Sequence, residues 1–231
     1  MDFLILGNGP HLTLTDWDKV RDSTLNTIGI NRSYLLYDEH QTLHIQDPIV
    51  ILEMFDSGYS DEELACLNIQ TTRYFIKRMG IERRRKKITV AEFNRLRSLI
   101  KENIIFVNNE AAFSTNSPFS IVLAISTIIK KTRKEHPSRR LKFYITGVEL
   151  KYSKTNNHFW HGKYPSAVRL KGAGGSNKRQ LFQQYISFRR MRSLQKPHNF
   201  EIISCTPSSR LNNLFNTEQL NTVLGRFAKR K

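Results

Sequence analysis

The chain has only two cysteines in 231 residues, Cys66 and Cys205, far apart in sequence. That excludes a disulfide-stapled scaffold and predicts an ordinary reduced cytoplasmic protein. No apolar run reaches the ~20 residues that a membrane-spanning helix needs, so no integral membrane association is expected. The amino terminus runs straight into a short strand-like stretch without a basic n-region, which predicts no signal peptide. The Walker phosphate loop is missing. So is the dinucleotide fingerprint: after Gly7 and Gly9 its third glycine would fall at Leu12, and no acid closes the second strand. No metal site is expected. The Asp-x-Asp pair, Asp16 and Asp18, falls at a helix start, where aspartate is ordinary capping chemistry. His158 and His161 lack Cys or acid neighbours at zinc spacing.

Acid is also scarce. Twenty Asp and Glu face 37 Lys and Arg, a formal net charge of +17. A field of that size attracts polyanions, either nucleic acid or an anionic membrane surface. The cations are clustered. Arg83, Arg84, Arg85, Lys86 and Lys87 form one block. Lys130, Lys131, Arg133, Lys134, Arg139, Arg140 and Lys142 form a second. Lys178, Arg179, Arg189, Arg190, Arg192 and Lys196 form a third. The expected nucleic-acid contacts are the whole first block with Lys178, Arg179, Arg189, Arg190 and Arg192.

The length suits one domain over 1–231, large enough to bury a core without staples. Apolar runs predict strands at Phe3 to Leu6, Leu25 to Ile30, Ile49 to Leu52, Ile104 to Val107, Leu141 to Ile145 and Glu201 to Cys205. Helices are expected at Leu14 to Val20 with Thr15 as cap, and from Ser60 or Asp61 to about Met79, closed by Gly80. Three more are expected at Thr89 to Lys101, Pro118 to Ile129 and Phe182 to Leu194. Thr89 and Glu92 have capping-box spacing. Strands alternating with helices predict an α/β fold, a Rossmann-like parallel sheet covered on both faces. The stretch 151–177 is rich in Asn, Gly, Ser and aromatics with little period. It predicts a lid or acceptor insertion within 150–198.

Ligands of open parallel sheets bind beyond the carboxyl ends of the strands. The residues following the predicted strands are small, polar and rich in amides. They are Gly7, Asn8, Gly9 and Pro10; Asn31 and Arg32; Asp47; Thr115, Asn116 and Ser117 at a helix start; and Gly147 with Glu149. Two glycines allow a ligand close to the backbone, and a helix start favours phosphate. Asn8 and Asn31 suit a ribose or a base edge. A proton acceptor could be His158, His161 or Glu149, while Lys151, Tyr152 and Lys154 could hold a leaving phosphate.

In sequence order, "ILGNGPHL", "IGINRSY", "QDP", "STNSPFSIVLAIS", "YITGVEL" and "ISCTPSSRLNNLF" resemble the bacterial lipooligosaccharide sialyltransferases of glycosyltransferase family 42 and their bacterial and phage relatives. The resemblance implies a glycosyltransferase-A-like variant of the Rossmann-like fold with a lid. It implies a UDP- or CMP-linked sugar donor, no other cofactor and metal-independent transfer. It puts Asn8, Gly9 and Asn31 on the nucleotide and Asn116 and Ser117 beside the donor. Asp47 stands where the family has Asn. Tyr152, His158 and His161 stand in the lid at spacing unlike the family's. With the charge, the expectation is an enzyme that moves a sugar onto a modified base in DNA, cytoplasmic and in the host cytoplasm if phage-encoded. Two other readings stay open: a sialyltransferase held at an anionic membrane, and a Rossmann-like nucleic-acid binder without transfer activity.

Overall fold

A computed structural model describes residues 1–108, 119–150 and 178–229. Among them an eight-stranded sheet runs in the order β5-β4-β3-β2-β1-β6-β7-β8, every pairing parallel. The strands are β1 Asp2–Leu6, β2 Asn26–Ile30, β3 Thr42–His44, β4 Ile69–Thr72, β5 Phe106–Asn108, β6 Leu141–Thr146, β7 Phe200–Ser204 and β8 Asn216–Thr217. The helices are α1 Trp17–Arg21, α2 Pro48–Asp56, α3 Asp61–Cys66, α4 Arg73–Arg84, α5 Val90–Lys101, α6 Ser120–Glu135, α7 Lys178–Leu194 and α8 Leu220–Arg226. The expected α/β, Rossmann-like parallel sheet is the fold observed.

The period-two alternation of side chains sorts the core onto two faces. Phe3 and Ile5 of β1 join Leu141, Phe143 and Ile145 of β6 under α6 and α7. Leu4, Leu6 and Tyr144 point the other way, against Val20 of α1 and Val223 and Leu224 of α8. A third cluster holds α2, α4 and α5 against Leu43 and Ile69. Strand order reverses at β1, which has β2 on one side and β6 on the other. The crevice beyond the carboxyl ends of β1 and β6 is therefore the topological switch point of the sheet.

Three sequence expectations fail, each for a local reason. Ile49 to Leu52 is not a strand but the first turns of α2. Asp47 caps it by accepting the Ile49 N–H at 3.2 Å, and Pro48 sits at the first helical position. The strand lies earlier, at β3. The single helix expected from Ser60 to Met79 is α3, β4 and α4 in succession. Asn68, at φ 45°, ends the first helical piece, and the β-branched run Ile69, Thr71, Thr72 then pairs with its neighbours. Gly80 lies inside α4 and does not end it. The helix expected at Leu14 to Val20 is a 3-10 turn, Pro10–Leu14, followed by α1. Asp16, not Thr15, caps α1 by accepting the Lys19 N–H. The Thr89 capping box forms as expected.

The predicted lid divides. Residues 151–177 lie outside the described residues. The rest of it is α7, whose Phe188 and Met191 are fully buried, so this part is a core helix and not a lid.

Arg32 and Glu53 fasten α2 to the end of β2. The Arg32 Nε–H and Nη2–H donate to the two Glu53 carboxylate oxygens at 2.7 and 2.8 Å, and both side chains are buried. A fork-to-fork pair of this kind gives both energy and geometry. Glu53→Ala strips the buried guanidinium of this partner and is expected to cost about 3–5 kcal/mol by urea unfolding. Replacing both, Arg32→Met with Glu53→Leu, should regain most of that loss. A single variant within 1 kcal/mol of wild type (roughly, the range of an exposed pair) would show that the pair holds nothing.

Candidate functional site

At the switch point the ladder between β1 and β6 runs past both strands. Gly7 N–H donates to Thr146 O at 2.9 Å, and Gly9 N–H donates to Gly147 O at 2.7 Å. A Cβ on Gly7 would overlap the Gly147 carbonyl, and one on Gly9 would overlap the Glu149 carboxylate. Gly147 sits at φ 69° with Leu12 packed on it. The sequence reading left the two glycine faces and N–H groups open to a ligand. The chain fills them itself, because β1 and β6 end side by side. Pro10 opens the 3-10 turn, and Glu149 Oε1 accepts the His11 N–H at 2.9 Å. The strand-end acid is thus drawn over the Gly-Asn-Gly turn. Asn8, between the two glycines, keeps a buried side-chain oxygen with no hydrogen-bond partner among the described residues.

A network of neutral polar side chains lines the strand ends on the β2 side. Asn31, at φ 48°, donates from Nδ2 to Ser120 Oγ at 3.2 Å and accepts the Gln46 N–H at 3.1 Å. Gln46 donates from Nε2 to His44 Nε2 at 2.7 Å and accepts from Thr72 Oγ1 at 2.9 Å. That bond needs a neutral imidazole, and burial agrees, pushing the His44 pKa down to about 3. His40, buried against Gly29 and 3.1 Å from Ser33 Oγ, is pushed down to about 4 by the same cause. On the β7 side Thr206 Oγ1 accepts the Val148 N–H at 3.2 Å. Ser209 donates to Val148 O, and Arg210 N–H donates to Glu149 O at 3.1 Å. The Arg210 side chain is exposed at this lip.

Of the predicted site residues, the structure brings the donor residues Gly7, Asn8, Gly9, Pro10 and Gly147 and the candidate base Glu149 together at one crevice, with Asn31 one strand away. Asp47 follows β3, one strand beyond Asn31, capping α2 with Arg78 Nη2 at 3.4 Å. Arg32 is a correction: its guanidinium is buried in the pair with Glu53 and does not face the crevice. Thr115, Asn116, Ser117, Tyr152, His158 and His161 lie outside the described residues. Sequence reasoning missed His44, Gln46, Thr72, Ser120 and Arg210. "HIQDP" carries the first two, but placing a strand at Ile49 hid the end of β3 three residues before Asp47.

The basic blocks do not form one face. Arg83 and Arg84 end α4, the helix that follows β4, and Arg85 to Lys87 come directly after it. The second block and the later part of the third, from Arg189 to Lys196, meet at the amino ends of β6 and β7, four to five strands away, roughly 20–25 Å at ~4.8 Å per strand, while Lys178 and Arg179 begin α7 at its far end. The first block is partly engaged at home. Arg83 lies over the Phe93 ring at 4.9 Å, and Arg85 and Lys87 approach buried Glu82 at 3.8 and 3.6 Å. Arg133 of the second block donates to the carbonyls of Arg139, His198 and Asn199 at 2.7–3.1 Å, tying α6 to the start of β7. Arg179, Arg189, Arg190 and Arg192 are exposed on α7, and the Lys178 side chain lies outside the description. No helix among the described residues is long and apolar enough to cross a membrane. No family model matches the chain, and no curated protein and no solved structure matches it.

The two buried histidines set an acid limit on stability. Their folded pKa values lie below the ordinary 6.5, so between pH 6.5 and about 4 the unfolded chain binds protons that the native chain refuses. Stability is present above 6.5 and declines as pH falls through that window, by about 1.4 kcal/mol per pH unit per histidine at most. Urea titrations from pH 7 to 4 should show this decline, and His44→Gln should remove about half of it. A flat profile between 6.5 and 4 would contradict the neutral burial of both rings.

Proposed function

We propose that the chain is a nucleotide-sugar-dependent glycosyltransferase with a glycosyltransferase-A-like form of the Rossmann-like sheet. It takes its UDP- or CMP-linked donor in the crevice between β1 and β6. The observation that carries this reading is the buried, unpartnered side-chain oxygen of Asn8 beside the Glu149 carboxylate at the switch point. A buried acceptor left without a donor costs about 1–3 kcal/mol, and a ribose hydroxyl or a base amino group supplies the missing proton. The Glu149 carboxylate over Gly9 repels phosphate from the turn itself. The nucleoside therefore sits at Asn8 and Glu149, and the phosphate extends toward the exposed Arg210 at the β7 lip. The "GNGP" and "TGVEL" motifs that carry the family resemblance are the ones that meet in this crevice.

The acceptor in this reading is a hydroxyl on a modified DNA base, flipped toward the carboxyl edge of the sheet. The net charge of +17 supports a polyanionic acceptor. His158, His161 and Glu149 are the candidates for taking the hydroxyl proton as the sugar–phosphate bond breaks. Transfer proceeds without a divalent metal and should survive excess EDTA.

Calorimetry with CMP, CDP and UDP tests the donor site. Asn8→Ala should weaken the best of these nucleotides by about tenfold, the loss of one hydrogen bond. The same variant should leave the melting temperature unchanged or slightly raised, because it removes a polar atom that the free protein buries without a partner. Absence of nucleotide binding by the wild type at millimolar concentration would overturn the reading, as would equal affinity in the variant.

A further inference from the structure

A second concavity lies away from the crevice, along the amino-terminal half of β7. It is an open groove of about 570 Å³ between the end of α7 and the segment 212–216. It exists because β8 pairs only with Ile203 and Ser204, which leaves the first three residues of β7 uncovered on that side. An uncovered parallel edge ordinarily invites another strand. Here that route is closed. Phe200 N–H donates to Gln195 O at 3.0 Å and Ile202 N–H to Gln195 Oε1 at 2.6 Å, so Gln195 covers the outward donors of the edge. An incoming peptide strand would find no ladder donors there.

The groove is built for negative charge. Arg192 and Lys196 flank it, both exposed and with no ion pair among the described residues. Glu201, its one carboxylate, is already met by Arg140 at 3.0 Å, Lys142 at 3.9 Å and Asn216 Nδ2 at 3.3 Å. The positive charge left over is that of Arg192 and Lys196. Asn213 is exposed on the facing lip. Arg189 and Arg190, one turn back along α7, are exposed too. A line of cations on one helix thus leads into a groove whose own acid is neutralised.

We infer that this groove docks the phosphodiester backbone of nucleic acid, with Arg192 and Lys196 on successive phosphates and Asn213 hydrogen-bonding from the opposite lip. The inference rests on the reading of the acceptor as nucleic acid and adds where that acceptor is gripped. Contacts of this kind position the polymer without reading its sequence.

The test uses the full chain and a labelled 20-base-pair DNA duplex, by fluorescence anisotropy at 50–200 mM salt. Arg192→Glu with Lys196→Glu should lower the slope of log affinity on log salt by about 2 and weaken binding by about 10²-fold near 0.1 M salt. Arg97→Glu with Lys101→Glu, on the exposed face of α5 at the other end of the sheet, makes the same change in net charge and should cost far less. Calorimetric nucleotide binding should be unchanged in both double variants. Equal losses in the two double variants, or a groove variant that keeps the wild-type slope, would overturn the groove while leaving a nucleic-acid acceptor in place. A wild type that binds no duplex would overturn the acceptor reading and the groove with it.

Discussion

The close approach of β1 and β6 beyond their last paired residues is the constraint on which the rest of the molecule depends. Two peptide planes of the Gly-Asn-Gly turn bond to the carbonyls of Thr146 and Gly147, so the turn is stitched to the neighbouring strand end. No side chain fits between them at Gly7, whereas a Cβ on Gly9 would meet the end of the Glu149 side chain. A Cβ at Gly7 would push β1 and β6 apart in the middle of an eight-stranded sheet, and with them the two core clusters that meet across that pair. Glycine at position 7 is required by intramolecular packing, before any ligand is considered. The same packing brings Glu149 onto the turn and leaves Asn8 with its buried oxygen. The chemistry of the crevice is thus a by-product of how the sheet is joined.

From that seam two polar systems spread in opposite directions, and both are almost free of charge. Ser120, Asn31, Gln46, His44 and Thr72 link the ends of β2, β3 and β4 with α6. Thr206 and Ser209 link the ends of β6 and β7. Amides, hydroxyls and neutral imidazoles satisfy one another without the desolvation cost of buried ions. The most deeply buried ionised groups lie beyond this belt. Arg32 and Glu53 are paired behind it, and Glu82 is met by Arg78, Arg85 and Lys87. A neutral, pre-bonded edge of this kind holds its shape without a ligand and loses little order on binding one.

What the sequence makes legible follows from how local the cause is. The apolar runs at Phe3, Leu141 and Glu201 mark β1, β6 and β7 because central parallel strands are buried on both faces. The Thr89 to Glu92 box marks α5 because its signal is complete within four residues. Ile49 to Leu52 reads equally as strand or helix. The deciding signal was Asp47 and Pro48 in front of it, a cap and a first-turn proline. The break between α3 and α4 turns on Asn68 adopting φ 45°, which a helical period does not reveal. In the site, reading off strand ends predicts where a residue lies when the strand is right, as for the positions of Asn8, Asn31, Gly147 and Glu149. It fails at Arg32, because a cation after a strand looks like a ligand-binding group until Glu53, two elements later in space, is seen to claim it.

The crevice and the cations are divided along the strands as well as across the sheet. Gly147 and Glu149 follow the carboxyl end of β6, whereas Arg140 precedes its amino end and Lys196 precedes that of β7. A six-residue strand spans about 20 Å at ~3.3 Å per residue. A small anion therefore reaches one region or the other but not both. The nucleic acid proposed as acceptor would lie along the β7 edge and still present one unit at the carboxyl end. Duplex DNA carries a phosphate every ~3.4 Å per strand, so that span corresponds to about six nucleotides. Separation of this kind keeps the strong positive field away from a crevice that holds Glu149 and neutral amides. In the proposed reading, the charge acts on the approach and placement of a long partner while uncharged groups decide what is held at the strand ends.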